Sequence, residues 1–271
     1  MICSLLVSCL LFSSCTPPTG ASESSFSSIF ESSSSASSII NSTENEDISS
    51  PDNYNEEVPV EDIDFSDKTY LSYGDSITYG ANPFKYYSQI ENPYPKLVSD
   101  LLGFKTYYNP AISGATLCTN NKNLYCMTDV ILSTTVQYDI VSVLLGFNDY
   151  NNNLPLGSID DNNGSTIYGS LNLIAKHFEL YYENSFIFFM TPYKSRTWDK
   201  VNNVGYNLGD VSQAVKNVAQ KYDIPVLDMF NLGSFEVEMF NANSDGVHPS
   251  QDFFENYTAP QIAQFIKDNY K

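Results

Sequence analysis

An α/β fold, in which a parallel sheet lies between two layers of helices, is predicted by three features of this 271-residue chain. Beyond residue 68, short apolar runs alternate with amphipathic stretches, the pattern of strands alternating with helices. Two of the runs, Val141-Ser142-Val143-Leu144-Leu145 and Phe186-Ile187-Phe188-Phe189-Met190, are almost continuously apolar rather than alternating, so both faces of those strands must be covered. The content of 42% apolar and 14% aromatic residues is ample for the core that this requires.

Taken in order, the strand candidates are 69–73, 105–109, 140–145, 186–190 and 225–228, which makes a five-stranded sheet. A helix is predicted over 94–102. Between the third and fourth strands, Leu171, Ile174, Phe178 and Tyr181 recur at spacings of three and four, so they stack on one face of a helix that packs on the sheet. Further helices are expected over 210–222 and 251–269, the last with Ile262, Phe265 and Ile266 as its apolar stripe. In such sheets ligands gather at the carboxyl ends of the strands, so those ends are where chemistry is to be sought.

The first quarter of the chain is of another kind. Residues 1–67 hold 12 of the 32 acidic residues and none of the 13 basic ones, so the formal charge of -19 divides into -12 before Lys68 and -7 after it. A charge of this sign repels phosphate backbones and anionic lipid surfaces, which argues against nucleic-acid partners. Within residues 1–15, Leu5-Leu6-Val7 and Leu10-Leu11-Phe12 form an apolar run too short to span a bilayer, as in an export signal. Ser13-Ser14-Cys15 resembles a bacterial lipoprotein cleavage site, which would make Cys15 a lipidated new N-terminus and place the protein outside the cytoplasm, with the lipid as its only membrane contact. Residues 16–67, rich in Ser, Asn, Glu and Asp, cannot bury enough apolar surface to offset their ordering entropy, so a disordered tether is expected. A flexible linker of that length has an r.m.s. span on the order of 40 Å. The expected folded domain is therefore 68–271.

Only Cys118 and Cys126 fall in that domain, and in an exported protein they can close a small disulfide loop or stand as free thiols. No CxxC or His-Cys cluster supports a structural zinc site.

Directly after the first strand comes Gly74-Asp75-Ser76-Ile77-Thr78, which sets a Ser hydroxyl on the strand-to-helix turn at the active edge, exposed as a nucleophile must be. The second strand leads to Asn109-Pro110-Ala111-Ile112-Ser113-Gly114 and the third to Gly146-Phe147-Asn148-Asp149. A Gly that permits close backbone approach and an Asn amide on the same edge suit an oxyanion hole. Near the C-terminus, Asp245-Gly246-Val247-His248 places a carboxylate three residues before one of only two His in the chain. The other, His177, sits inside the amphipathic helix and reads as a packing residue.

In this order, Gly74-Asp75-Ser76, Gly114, Gly146-x-Asn148-Asp149 and Asp245-x-x-His248 resemble the four blocks of the SGNH hydrolases, also called the GDSL esterase/lipase family. Ile77 stands where the family usually has Leu, and Ala111 where it commonly has Gly. The resemblance implies a flavodoxin-like three-layer α/β/α fold and a catalytic triad of Ser76 as nucleophile, His248 as general base and Asp245 as its orienting carboxylate. It further implies an oxyanion hole from the backbone N–H groups of Ser76 and Gly114 and the Asn148 amide, with no metal or organic cofactor. An imidazole base works only when neutral, and free imidazole titrates near about 6.5, so the rate should fall toward acid. The α/β-hydrolase alternative needs G-x-S-x-G, whose last position here is Thr78.

Tyr79, Phe147, Tyr150 and Trp198, by their places near strand ends, are expected to line a substrate pocket. The family acts on acetylated polysaccharides, cell-wall glycans, lysophospholipids and thioesters. The expected partner is a small-molecule or glycan ester substrate, and with no long apolar insert to form a lid, deacetylation of a carbohydrate or cell-wall glycan is expected first. Lysophospholipid or short-chain acyl ester hydrolysis is the alternative enzyme reading, and a non-catalytic glycan-binding module the alternative outside enzymes.

Overall fold

Five strands form one parallel sheet in the order β2-β1-β3-β4-β5. They are β1 (Thr69–Gly74), β2 (Thr106–Tyr108), β3 (Ile140–Leu144), β4 (Phe186–Met190) and β5 (Val226–Leu227). The computed structural model describes residues 63–85, 88–119, 125–232 and 245–271. The expected leader 1–15, its lipidation site Cys15 and the tether up to residue 62 lie outside the described residues.

The tether was expected to run to residue 67, and here the structure corrects the sequence reading. Phe65 is buried, with its ring 5.4 Å from Phe104 and 5.5 Å from Tyr270, so the packed domain begins before Lys68.

Successive side chains of a strand point to opposite faces, and each face of this sheet has its own core. Leu71, Tyr73, Val141, Val143 and Phe189 pack beneath α3 (Met127–Leu132), α5 (Ile167–Tyr181) and α6 (Leu208–Lys221). Tyr70, Ile140, Leu144, Phe188 and Met190 pack beneath α2 (Tyr94–Leu102) and the C-terminal helix α8 (Ala259–Asn269). The two-sided covering inferred from the apolar runs is therefore present. The expected helix 251–269 begins as α7 (Gln251–Phe253) and passes through a π-helical turn, Phe254–Thr258, before α8. On α5 the apolar stripe ends differently from the expectation. Tyr181 is 47% exposed and Tyr182 is buried, because eleven residues from Leu171 come closer to three turns of 3.6 than ten do.

A line of hydroxyls crosses the α2 side of the sheet. Tyr70 and Ser142 bond at 2.8 Å, Ser142 donates to Ser72 at 2.9 Å, and the Tyr94 hydroxyl meets Ser72 at 3.1 Å and Thr78 at 2.9 Å. Thr78 belongs to the short helix α1 (Ser76–Tyr79), so this buried polar line joins that helix to the sheet. His177 is buried on α5 and donates through Nε2 to the Thr134 carbonyl at 2.7 Å, as its packing assignment anticipated.

The connections diverge at β1, which has β2 on one side and β3 on the other. That is the switch point at which an open α/β sheet leaves a crevice beyond its carboxyl edge. Gly74 and Leu144, the last residues of β1 and β3, lie in register across it.

Candidate active site

The chain turns so sharply after β1 that a Cβ on Gly74 would stand 1.9 Å from Thr78 Oγ1 and 3.0 Å from the Leu144 carbonyl oxygen. Only glycine permits that approach. Asp75 then caps α1, its Oδ1 accepting the Ile77 N–H at 2.9 Å. Ser76 follows as the first helical residue, beside the switch point. It is 7% exposed, so it is more enclosed than its turn position suggested.

The segment Asp245 to His248 reaches this serine from the far end of the chain. Gly246 adopts φ +88°, and its carbonyl accepts the Arg196 N–H at 2.9 Å, which ties the turn to the segment after β4. Asp245 Oδ1 accepts the N–H groups of Val247 at 2.9 Å and His248 at 2.7 Å, and Oδ2 pairs with His248 Nδ1 at 2.9 Å. His248 Nε2 lies 2.8 Å from Ser76 Oγ. Burial opposes ionisation of Asp245, but the hydrogen bonds from His248 and Val247 outweigh it and hold the carboxyl below the usual carboxylate range. An ionised carboxylate can only accept, so Nδ1 carries the ring proton and Nε2 is left to accept from the serine.

Two loops complete the edge. The Ile112 N–H donates to the Gly74 carbonyl at 3.2 Å, and Asn109 Nδ2 donates to the Thr78 carbonyl at 2.8 Å, so the segment after β2 is laid against α1. Gly114 on that segment has φ +80° and faces open space where a side chain would stand. Asn148, on α4 (Phe147–Asn151) after β3, donates through Nδ2 to Asp75 Oδ2 at 3.2 Å and to the Ala115 carbonyl at 3.0 Å. It therefore bridges the residues next to Ser76 and Gly114. Because both bonds use the amide nitrogen, donation to an oxyanion requires that one of them be shared or exchanged.

Two carboxylates here were not assigned a role from sequence. Asp149 is fully buried, and its two oxygens accept the N–H groups of Leu117 at 2.8 Å and Cys118 at 2.9 Å, anchoring the loop beyond Gly114. Asp75 holds both the α1 cap and the Asn148 amide. Both belonged to recognised motifs, but nothing in a sequence marks which distant groups a carboxylate accepts from, main-chain N–H for Asp149 and the Asn148 amide for Asp75.

The other expected residues divide. Tyr79, at the end of α1, is half-buried, and its carbonyl accepts from Gln89 Nε2 at 2.9 Å. Phe147 is 9% exposed and packs in the core against Tyr150. The Tyr150 hydroxyl donates to the carbonyls of Thr197 at 2.8 Å and Lys200 at 2.9 Å, so it braces a loop instead of facing a substrate. Trp198 stands edge-on to Phe230 with ring centroids 5.5 Å apart, under the Lys194 ammonium at 5.2 Å. Phe147 and Tyr150 are therefore buried packing residues and not pocket walls, while Trp198 is partly buried against the same core. Cys118 and Cys126 are not joined in a disulfide: Cys126 Sγ donates to the Leu117 carbonyl at 3.1 Å, and burial pushes the Cys118 thiol up.

Asp75 has a consequence for stability. Burial, reinforced by the nearby Asp149, pushes its carboxyl from 3.8 up to about 7, despite the Ile77 N–H bond that favours the charge. Between these values the folded protein holds a proton that the unfolded chain has released, so this contribution to stability declines as pH rises. Asp75→Asn, which cannot ionise, should therefore gain Tm relative to the wild type from about pH 4.5 to about pH 7.5. A difference in Tm that does not change with pH would contradict this assignment.

Known proteins fit this geometry. The GDSL-like lipase/acylhydrolase family pattern matches residues 72–253. The fold is similar to that of a possible lipase from Chitinophaga pinensis (19% identity, TM-score 0.59, 74% of this chain and 98% of that one). It is also similar to the M. smegmatis aryl esterase (15%, 0.54, 74% and 99%) and to a carbohydrate acetylesterase family member from Sinorhizobium meliloti (16%, 0.52, 74% and 98%). At these identities the likeness shows the fold alone. No curated protein matches the chain. The family pattern covers most of the chain and runs through the segments that build this edge, and the chain belongs to the GDSL-like lipase/acylhydrolase family, the SGNH hydrolases, as an ester-hydrolysing enzyme.

Proposed function

We propose that this enzyme removes acetyl or similarly short acyl groups from hydroxylated, carbohydrate-type substrates through an acyl-enzyme on Ser76. The observation that carries the proposal is the unbroken line from Asp245 Oδ2 through His248 to Ser76 Oγ, at 2.9 and 2.8 Å.

In the mechanism that follows from it, Ser76 Oγ attacks the ester carbonyl as its proton passes to His248 Nε2. Asp245 stabilises the resulting imidazolium. The carbonyl oxygen becomes an oxyanion, which the N–H groups of Ser76 and Gly114 and the Asn148 amide receive. One such donor is typically worth about 2.7 to 4 kcal/mol. The imidazolium then protonates the leaving alcohol as the C–O bond breaks, and the acyl group stays on Ser76. Water, deprotonated by the same nitrogen, attacks the acyl carbonyl. Collapse of that intermediate releases the acid and returns the proton to Ser76.

The choice of a short acyl group and a carbohydrate alcohol is supported by the absence from the sequence of a long apolar insert that would shelter a fatty chain. The name of the Sinorhizobium meliloti structure of similar fold points the same way. Ser76→Ala should lower kcat on p-nitrophenyl acetate by about 10⁴-fold or more. Equal rates in the two proteins would overturn the reading.

We also infer that Cys15 is acylated after export, so that the segment from there to the domain tethers the enzyme to the outer face of a membrane. The apolar run followed by Ser13-Ser14-Cys15 supports this. In a bacterial host, the protein should partition into the detergent phase and Cys15→Ser into the aqueous phase. Aqueous partitioning of both would sink the inference.

A further inference from the structure

Beside this site lies a cavity of about 610 Å³, between the loop that follows α1 and the start of α7. Ligand pockets of about 300 to 1,000 Å³ are usual for molecules far larger than an acetyl group. Its two walls begin at Asn82 and Ser250, a few residues along the chain from Ser76 and His248. One is the loop from Ala81, whose N–H donates to the Ser76 carbonyl at 2.9 Å. The other begins at Ser250, two residues after His248 and so within about 7 Å of it along the chain. Gln251 clamps the walls together, accepting the Asn92 N–H at 3.1 Å and donating to the Asn92 carbonyl at 3.3 Å.

The lining combines an aromatic face with hydrogen-bonding groups. Phe84 is 70% exposed at the rim. Asn82 accepts the Phe84 N–H through Oδ1 at 2.9 Å, which leaves its amide N–H groups for a ligand, and Ser88, Glu91 and Asp252 add a hydroxyl and two carboxylates. A long acyl chain would cover these groups without pairing them, which is costly. A polyanion would meet two carboxylates against the single Lys85 ammonium, in a chain of net charge -19. A neutral ring with hydroxyls at its edge and C–H groups on its face meets neither penalty.

The side on which the cavity lies agrees with the chemistry. His248 must protonate the leaving oxygen, so the alcohol half of the ester has to extend past the imidazole, and the cavity wall starts two residues beyond it, at Ser250. The oxyanion donors Gly114 and Asn148 come from the segments after β2 and β3 instead. We propose that this cavity is the leaving-group subsite, holding a neutral saccharide ring against Phe84 with its hydroxyls on Asn82, Ser88 and Asp252.

This subsite rests on the carbohydrate-ester reading above, and the test separates the two. Acetylated xylo-oligosaccharides and p-nitrophenyl acetate are compared as substrates for the wild type, for Phe84→Ala, which removes the aromatic face, and for Ser88→Trp, which fills the cavity. Both substitutions are at exposed positions, and retained thermal unfolding confirms that the variants fold. In each variant the ratio of kcat/KM on the saccharide to kcat/KM on the aryl ester should fall about fivefold or more, mainly through KM on the saccharide. If the wild type hydrolyses both substrates and neither variant moves the ratio, the subsite is refuted while the carbohydrate reading stands. If the wild type cleaves the aryl ester and no acetylated saccharide, the carbohydrate reading falls and the subsite with it.

Discussion

The active edge depends on a 2.8 Å contact between His248 Nε2 and Ser76 Oγ, atoms whose residues stand 172 positions apart. No local preference brings them together. Ser76 is placed by β1 and by the tight turn at Gly74, whereas His248 is placed by a turn that Asp245 closes on its own backbone and that the Arg196 N–H ties to the segment after β4. The sheet order makes these placements compatible, because the switch at β1 opens a crevice where the residues following β1, β2 and β3 meet.

Three carboxylates serve this edge, and their surroundings set what each does. Asp245 is partly open and receives three N–H groups from Val247 and His248, so it stays charged and fixes the imidazole. Burial draws both Asp149 and Asp75 toward the neutral form, and the nearby Asp149 raises Asp75 further. Each nevertheless holds a piece of the site: Asp149 the loop beyond Gly114, Asp75 the cap of α1 and the Asn148 amide. The enzyme thus places poorly solvated acids directly behind its nucleophile. Buried polar networks of this kind cost stability and fix geometry.

Much of the fold was legible because burial on both faces of a parallel sheet leaves long apolar runs. β4 was predicted to the residue, as was α2, whose apolar face closes at Gly103 in a left-handed conformation. Short elements were missed for the same physical reason: α3 and α4, of six and five residues, are too brief to show a helical period. Phe65 was hidden in acidic surroundings, since composition averages over the one side chain that packs. The expected pocket residues show a different limit. Tyr150 and Trp198 do follow strand ends, but position along a chain does not say which way a ring turns, and theirs turn toward backbone carbonyls and Phe230. Likewise, a spacing of eight between Cys118 and Cys126 bounds the loop they could close without bringing the two sulfurs into bonding geometry. The meeting of Ser76, Asp245 and His248 was anticipated from motif order, whereas the supporting roles of Asn109, Asp75 and Asp149 depend on contacts that only the folded chain displays.

The central claim is that the hydroxyl of Ser76, activated through His248, becomes covalently acylated. Rapid acid quench of the enzyme during turnover of p-nitrophenyl acetate, followed by mass analysis of its peptides, tests this directly. The account predicts one acetyl group on the peptide containing Ser76, lost when His248 is replaced by Ala. Hydrolysis with no acetyl on that peptide, or an acetyl whose formation is indifferent to His248, would contradict it.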